Sequence, residues 1–246
     1  MNLRQTLSQI LILDPKYRSE LDFWKQHLNE LVLWYRGEIS SLYGEPAPKS
    51  KAQVACFNEK DSAILTWLEH HQKKKYLQDL QLKSNAFSGL KVLDIGSGPF
   101  PSALVFKNCE LYCLDPLWPY YLQIGYPTHY YDKMRIVSAK AESIPLGDNY
   151  IDAIISVNAI DHVDSFLQVS KEIRRVLKKN GKLAMHIHYH EKTATEPEVL
   201  NDNIVQEAFS WCQGWHKVTQ SKKKRGYKID SASQIYTLWS NVHAVS

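Results

Sequence analysis

Apolar residues follow two different spacings along the chain, and the change comes near Gly89. In "SELDFWKQHLNELVLWYRGEISSLYG", Leu21, Trp24, Leu28, Leu31 and Tyr35 recur at steps of three and four, which predicts a helix with one buried stripe. Ser19 is the expected N-cap, and Gly44 with Pro46 the expected stop. "EPAPKSK" reads as a linker. A second helical run is predicted from about Asp61, with Ile64, Leu65, Trp67, Leu68 and His71 on or near one face, ending near "KSNAFSG".

After Gly89 short apolar runs alternate with amphipathic stretches: KVLDI, ELYCLD, MRIVSAK, YIDAIISVN and GKLAMHIHYH. "SFLQVSKEIRRVLKKNG" is the clearest helical segment between them. Strands alternating with helices predict a parallel sheet flanked by helices. "GWHKVTQSKKKRGYKID" and "SQIYTLWSNV" follow one another with no helical pattern between, which predicts a closing antiparallel hairpin. The organisation expected is a helical extension over residues 1–88 and an α/β domain over 89–246.

Composition changes this picture little. At 246 residues the chain has room for one large domain or a domain with an extension, and 44% hydrophobic residues can fill a sizeable core. A formal charge of +4 is too weak to imply a nucleic-acid partner. Cys56, Cys109, Cys113 and Cys212 show no CxxC pair or zinc-ligand spacing, so reduced thiols in a cytoplasmic protein are expected. The first residues lack a signal-peptide pattern, and no stretch has the roughly 18 apolar residues of a membrane span.

Candidate chemistry gathers at the strand ends, where open α/β sheets bind ligands. Gly96-Ser97-Gly98 follows the first strand, and its small residues allow a ligand close to the backbone. Pro99 or Pro101 suits the first turn of a following helix. Asp115 ends the second strand, 21 residues after Asp94, where a carboxylate could accept two ribose hydroxyls. The third strand, expected to end near Ala139, leaves Glu142 in the next loop, and the fourth, expected from about Ile151 to Asn158, brings Ser156, Asn158, Asp161 and His162 to the same rim. Trp118 and Tyr121 belong to the aromatic stretch 116–131, an expected acceptor wall. Period-two alternation places His186, His188 and His190 on one strand face. With no carboxylate at fixed spacing from them, no metal site is expected; His186 and His188 are expected to line the acceptor pocket.

The succession "VLDIGSGP", "LDPL", "AESIPLGDNYIDAIISVNAIDHV" and "EIRRVLKKNGKL" resembles the class I S-adenosylmethionine-dependent methyltransferases, specifically the small-molecule type 11 group. The resemblance covers residues from about 90 to 190. It implies a Rossmann-like seven-stranded sheet, mostly parallel, with the last strand inserted antiparallel. It also implies S-adenosylmethionine bound by Asp94, Gly96, Ser97, Gly98, Asp115, Pro116, Leu117, Ala141, Glu142 and Asn158. Phe100 stands where family members often have a third glycine.

On this resemblance the expected reaction is methyl transfer to a small molecule, at oxygen, with His162 as the base. Two rivals stand beside it. A nucleic-acid methyltransferase would use "SKKKRG" and "QKKKY" on phosphates, but the fourth strand lacks the [DNS]PP[YF] sequence of adenine- and glutamine-methylating enzymes. The other rival is a non-catalytic protein that retained cofactor binding.

Overall fold

The computed structural model describes residues 14–49, 58–126, 134–193, 196–223 and 234–242. Cys56, Tyr130, Tyr131 and the basic residues from 224 onward lie outside them.

The N-cap of helix α1 (Pro15–Arg36) is Asp14, five residues before the expected Ser19. Asp14 accepts a hydrogen bond from the Lys16 amide, and Pro15 occupies the first turn, where its missing N–H costs nothing. Its stop is also earlier than Gly44: Gly37 takes a left-handed φ of 83° and its N–H closes on Trp34. A short hairpin, β1 (Ser41–Leu42) and β2 (Glu45–Pro46), follows. The second helical run is α2 (Glu59–Trp67), a π-helical turn at Leu68–Gln72 and α3 (Lys73–Leu80). Leu28 and Leu31 are buried under this layer, worth about 1.5–3 kcal/mol each.

The sheet strands are β3 (Lys91–Ile95), β4 (Glu110–Leu114), β5 (Met134–Val137), β6 (Ile151–Val157), β7 (Leu177–Tyr189), β8 (His216–Lys223) and β9 (Gln234–Ser240). They lie in the order β5-β4-β3-β6-β7-β9-β8. The first five pair in parallel, while β9 runs antiparallel between β7 and β8. Helices α4 (Trp118–Gln123), α5 (Phe166–Val176) and α6 (Asp202–Ala208) complete the fold. The seven-stranded, mostly parallel sheet with its terminal hairpin is thus the architecture expected.

Successive strand residues serve two cores. Val92, Leu111, Cys113, Ala153 and Ile155 face the α1–α3 layer, whereas Leu93, Tyr112, Leu114 and Ile154 face α5 and α6. Strand order reverses beside β3, which opens a crevice between the carboxyl ends of β4, β3 and β6. No α-helix follows the glycine loop, contrary to expectation. Pro99 and Pro101 withhold two amides, and the segment makes only a 3₁₀ turn at Ser102–Val105.

Candidate functional site

A cavity of about 630 Å³ occupies that crevice, roofed by α1. Its floor is the glycine loop. Gly96 and Gly98 hold left-handed φ values of 70° and 58°, and the Gly96 and Ser97 amides donate to the Leu114 carbonyl. A Cβ on Gly96 would stand 2.2 Å from Cβ of Ala159, so only glycine lets this loop lie against the end of β6. Trp24 of α1 packs over Gly98, and Phe100 meets Trp24, His27 and Tyr126. The side chain in the third glycine's place therefore ties the loop to the roof.

Asp115 lines the cavity at the tip of β4. Its Oδ1 accepts from the Leu117 amide at 2.8 Å and the Tyr121 hydroxyl at 3.1 Å; Oδ2 accepts from the Gly98 amide at 3.0 Å. A carboxylate offers about four lone-pair sites, so one remains, on Oδ2, rather than the two expected for a ribose. Burial pushes its carboxyl up to about 7, opposed by these three donors.

Asp94 sits behind the wall, fully buried, with both oxygens 3.1 Å from the hydroxyl of Tyr76. Burial raises this carboxyl to about 8; Tyr76 pulls it down and the charge of Asp115 pushes it further up. It is Tyr76 that lines the cavity. Pro116, Leu117, Ala141, Glu142 and Asn158 line it as well, as expected. Glu142, however, spends Oε1 on the amides of Asp164 and Ser165 at the start of α5. Asp164 in turn bonds Lys16 of α1 at 2.7 Å and Lys140 at 2.9 Å, fastening the roof to the rim.

Trp118 and Tyr121 are not brought to the cavity. Trp118 is 2% exposed with its indole N–H on the Cys113 carbonyl, and Tyr121 is turned inward onto Asp115. Aromatic-rich sequence looks the same whether it lines a pocket or packs beneath one. His186 also lies behind the wall, its Nδ1 2.9 Å from Oδ1 of Asn158 and its ring stacked on Tyr236.

His162 and His188 do line the cavity. Nε2 of His162 is 3.6 Å from Oδ2 of Asp161 and 3.6 Å from Oε1 of Glu196. His188 stacks on Tyr236, and His190 lies beside it. Asp161 was expected at the rim with His162, its sequence neighbour, but neither it nor Glu196 was foreseen beside His188 and His190. A helix separates Asp161 from those two histidines in sequence, and no local spacing announces the contact.

Three comparisons bear on this site. Residues 93–185 match the sequence model of the methyltransferase domain of type 11. An uncharacterized protein of Methanocaldococcus jannaschii is 29% identical over 108 residues, 43% of this chain and 43% of that protein's length. The YcgJ protein of Bacillus subtilis superimposes with a TM-score of 0.50 at 17% identity, over 70% of this chain and 97% of that one. An arsenic(III) S-adenosylmethionine methyltransferase of Chlamydomonas reinhardtii does so with a TM-score of 0.51 at 16% identity, over 66% of each chain. At such identities the structural likeness carries the fold. Residues 93–185, from β3 into β7, match the methyltransferase domain model on a sheet shared with an S-adenosylmethionine methyltransferase.

Proposed function

We propose that this protein transfers a methyl group from S-adenosylmethionine to a small-molecule acceptor, at an oxygen. The observation that carries the proposal is that one cavity is lined both by the glycine loop with Asp115 and by an imidazole–carboxylate cluster of His162, His188, Asp161 and Glu196. Its volume lies in the range of small-molecule sites. Residues 1–88 act as the cap and 89–246 as the catalytic domain in this proposal, since Trp24 and Phe23 of α1 roof the space.

The residues present fit the cofactor. Ser97 lines the cavity, and its hydroxyl is buried with no hydrogen-bond partner among the described residues, which leaves a polar contact for a ligand. The remaining acceptor site of Asp115 suits one ribose hydroxyl, and Gly96 and Gly98 line the same space. When bound, S-adenosylmethionine supplies an electrophilic methyl group on a sulfonium.

The chain's own work is then to align the acceptor, exclude water and receive a proton. Trp24, Phe100 and Leu117 make the apolar part of the lining. His162, 34% exposed in its side chain, is the group proposed to take the acceptor's proton at Nε2, with Asp161 and Glu196 beside it. Against a nucleic-acid substrate, Lys73 and Lys75 of the basic run are already paired with Glu69 and Asp79. No helix among the described residues is long and apolar enough to cross a membrane.

Calorimetric titration with S-adenosylmethionine and S-adenosylhomocysteine tests the cofactor half of this proposal without an acceptor in hand. One-to-one binding that collapses in Asp115→Ala supports it. No binding by folded, ligand-free protein overturns it. Turnover on a hydroxylated metabolite, lost in His162→Ala while cofactor affinity persists, tests the other half.

A further inference from the structure

Beyond the carboxyl ends of β6 and β7, one ligating atom from each of Asp161, His188, His190 and Glu196 lies within 4.8 Å of every other. Asp161 belongs to the 3₁₀ turn Ile160–His162 that follows β6. His188 is on the last turn of pleat in β7, and His190 lies just past its end. Glu196 is held by Thr193: its amide N–H donates to the Thr193 Oγ1 at 3.0 Å, and that hydroxyl donates to Oε2 of Glu196 at 2.9 Å.

Asp161 is the telling member. It is 1% exposed, and neither of its carboxylate oxygens has a hydrogen-bond partner among the described residues. Burying a carboxylate in that condition is costly unless something compensates it. Around its Oδ2 stand Nε2 of His162 at 3.6 Å, Nε2 of His190 at 3.7 Å and Nδ1 of His188 at 3.9 Å. Those separations are too long for hydrogen bonds, which end near 3.2 Å. They are the right size for neighbouring ligands of one ion: with bonds of about 2.1 Å, tetrahedral ligand atoms stand about 3.4 Å apart. The tautomer of one imidazole is also set. Nδ1 of His190 lies 2.8 Å from the Glu191 carbonyl, so it carries the proton and leaves the Nε2 lone pair facing Asp161.

We propose that Asp161, His188, His190 and Glu196 form a binding site for one divalent first-row transition-metal cation, with an open side toward the cavity. Two imidazoles with two carboxylates suit zinc, manganese, iron or cobalt, and not the all-oxygen shells that calcium and magnesium prefer. Asp161, His188 and Glu196 line the cavity, so a ligand in it would meet the ion directly. That position would hold an acceptor oxygen and ease loss of its proton to His162. This last role rests on the methyl-transfer proposal; metal binding does not.

The test is calorimetric titration of the whole, chelator-treated chain with Zn²⁺ and with Mn²⁺, with bound metal counted by elemental analysis. Wild type should take up one ion per chain. Asp161→Asn and Glu196→Gln should each weaken uptake by more than about tenfold, since loss even of an outer-sphere partner costs that much. Glu196 sits on a loop, so its variant keeps the test valid should Asp161→Asn fail to fold. Retained S-adenosylhomocysteine binding in the variants would show that only the metal site was removed. Failure of folded wild type to bind either ion, or equal uptake by both variants, overturns the proposal. Metal uptake without cofactor binding would instead leave this site standing and refute the methyl-transfer proposal.

Discussion

Gly96→Ala is the sharpest probe of the glycine loop, because two separate penalties can be read at one position. The residue sits at φ +70°, which costs an L-residue about 1–2 kcal/mol. The new methyl would also stand 2.2 Å from Cβ of Ala159, an overlap that must be relieved by moving the loop or the end of β6. Overpacking of this kind costs about 1–3 kcal/mol. The single variant should therefore lose about 2–5 kcal/mol in urea unfolding followed by tryptophan fluorescence, with m unchanged. Ala159→Gly removes the atom in the way, and the next nearest, Cα of Ala159, is at 3.5 Å, an ordinary contact. Alone it should cost about 0.4–1 kcal/mol through the unfolded chain. In the double variant the steric part should return, giving a favourable coupling of about 1–3 kcal/mol, while the backbone part persists. Additivity within about 0.5 kcal/mol would refute the argument, since it would mean the loop does not rest on Ala159.

Three further outcomes are expected. S-adenosylhomocysteine affinity should rise roughly tenfold between pH 6 and 8, as the Asp115 carboxyl, raised to about 7, passes into the carboxylate form that can accept a ribose hydroxyl; the rise should vanish in Asp115→Asn, and a flat wild-type profile would remove Asp115 from the binding step. Tyr76→Phe should cost about 1–3 kcal/mol at pH 7, because the buried Asp94 loses the hydroxyl that serves both its oxygens; unchanged urea midpoint would show that another donor takes over. His27, buried among aromatic rings with Nδ1 unpartnered among the described residues, is held down to about 4 chiefly by burial. The unfolded chain binds this proton near pH 6.5 and the folded one does not until about 4, so stability should fall by up to about 3 kcal/mol as pH drops through that window. His27→Leu should remove that part of the slope in pH-dependent melting, and an unaltered slope would count against it.

The frame of the fold was readable because strands and helices impose periods on the sequence. KVLDI, ELYCL and IDAIISV alternate sides between two cores, and nothing in their surroundings overrides that pattern. Asp115 was readable for a related reason: its distance from Asp94 is the length of one strand–connection–strand unit. What escaped was information held in three dimensions. Ser19 looks like a cap, but Asp14 with Pro15 starts the helix earlier and leaves Ser19 on the cavity roof. Pro99 or Pro101 looks like the start of a helix, yet the two together leave too few amides for one. Trp118 and Tyr121 support the site from beneath without touching the space. The Asp161 carboxylate reaches His188 and His190, and Glu196 reaches His162, because β7 lies beside β6.

The roof makes ligand occupancy and the state of the N-terminal helix a single thermodynamic quantity. Lys16, Glu20 and Trp24 are at once wall residues of the cavity and parts of α1, held down partly by the exposed Asp164. Whatever fills the cavity against that helix also lends it stability, in proportion to RT ln(1 + [L]/Kd). By reciprocity, anything that loosens the helix, such as salt acting on the Lys16–Asp164 pair, weakens the ligand by the same free energy. Helix α1 is in this sense a reporter of what the strand tips are holding.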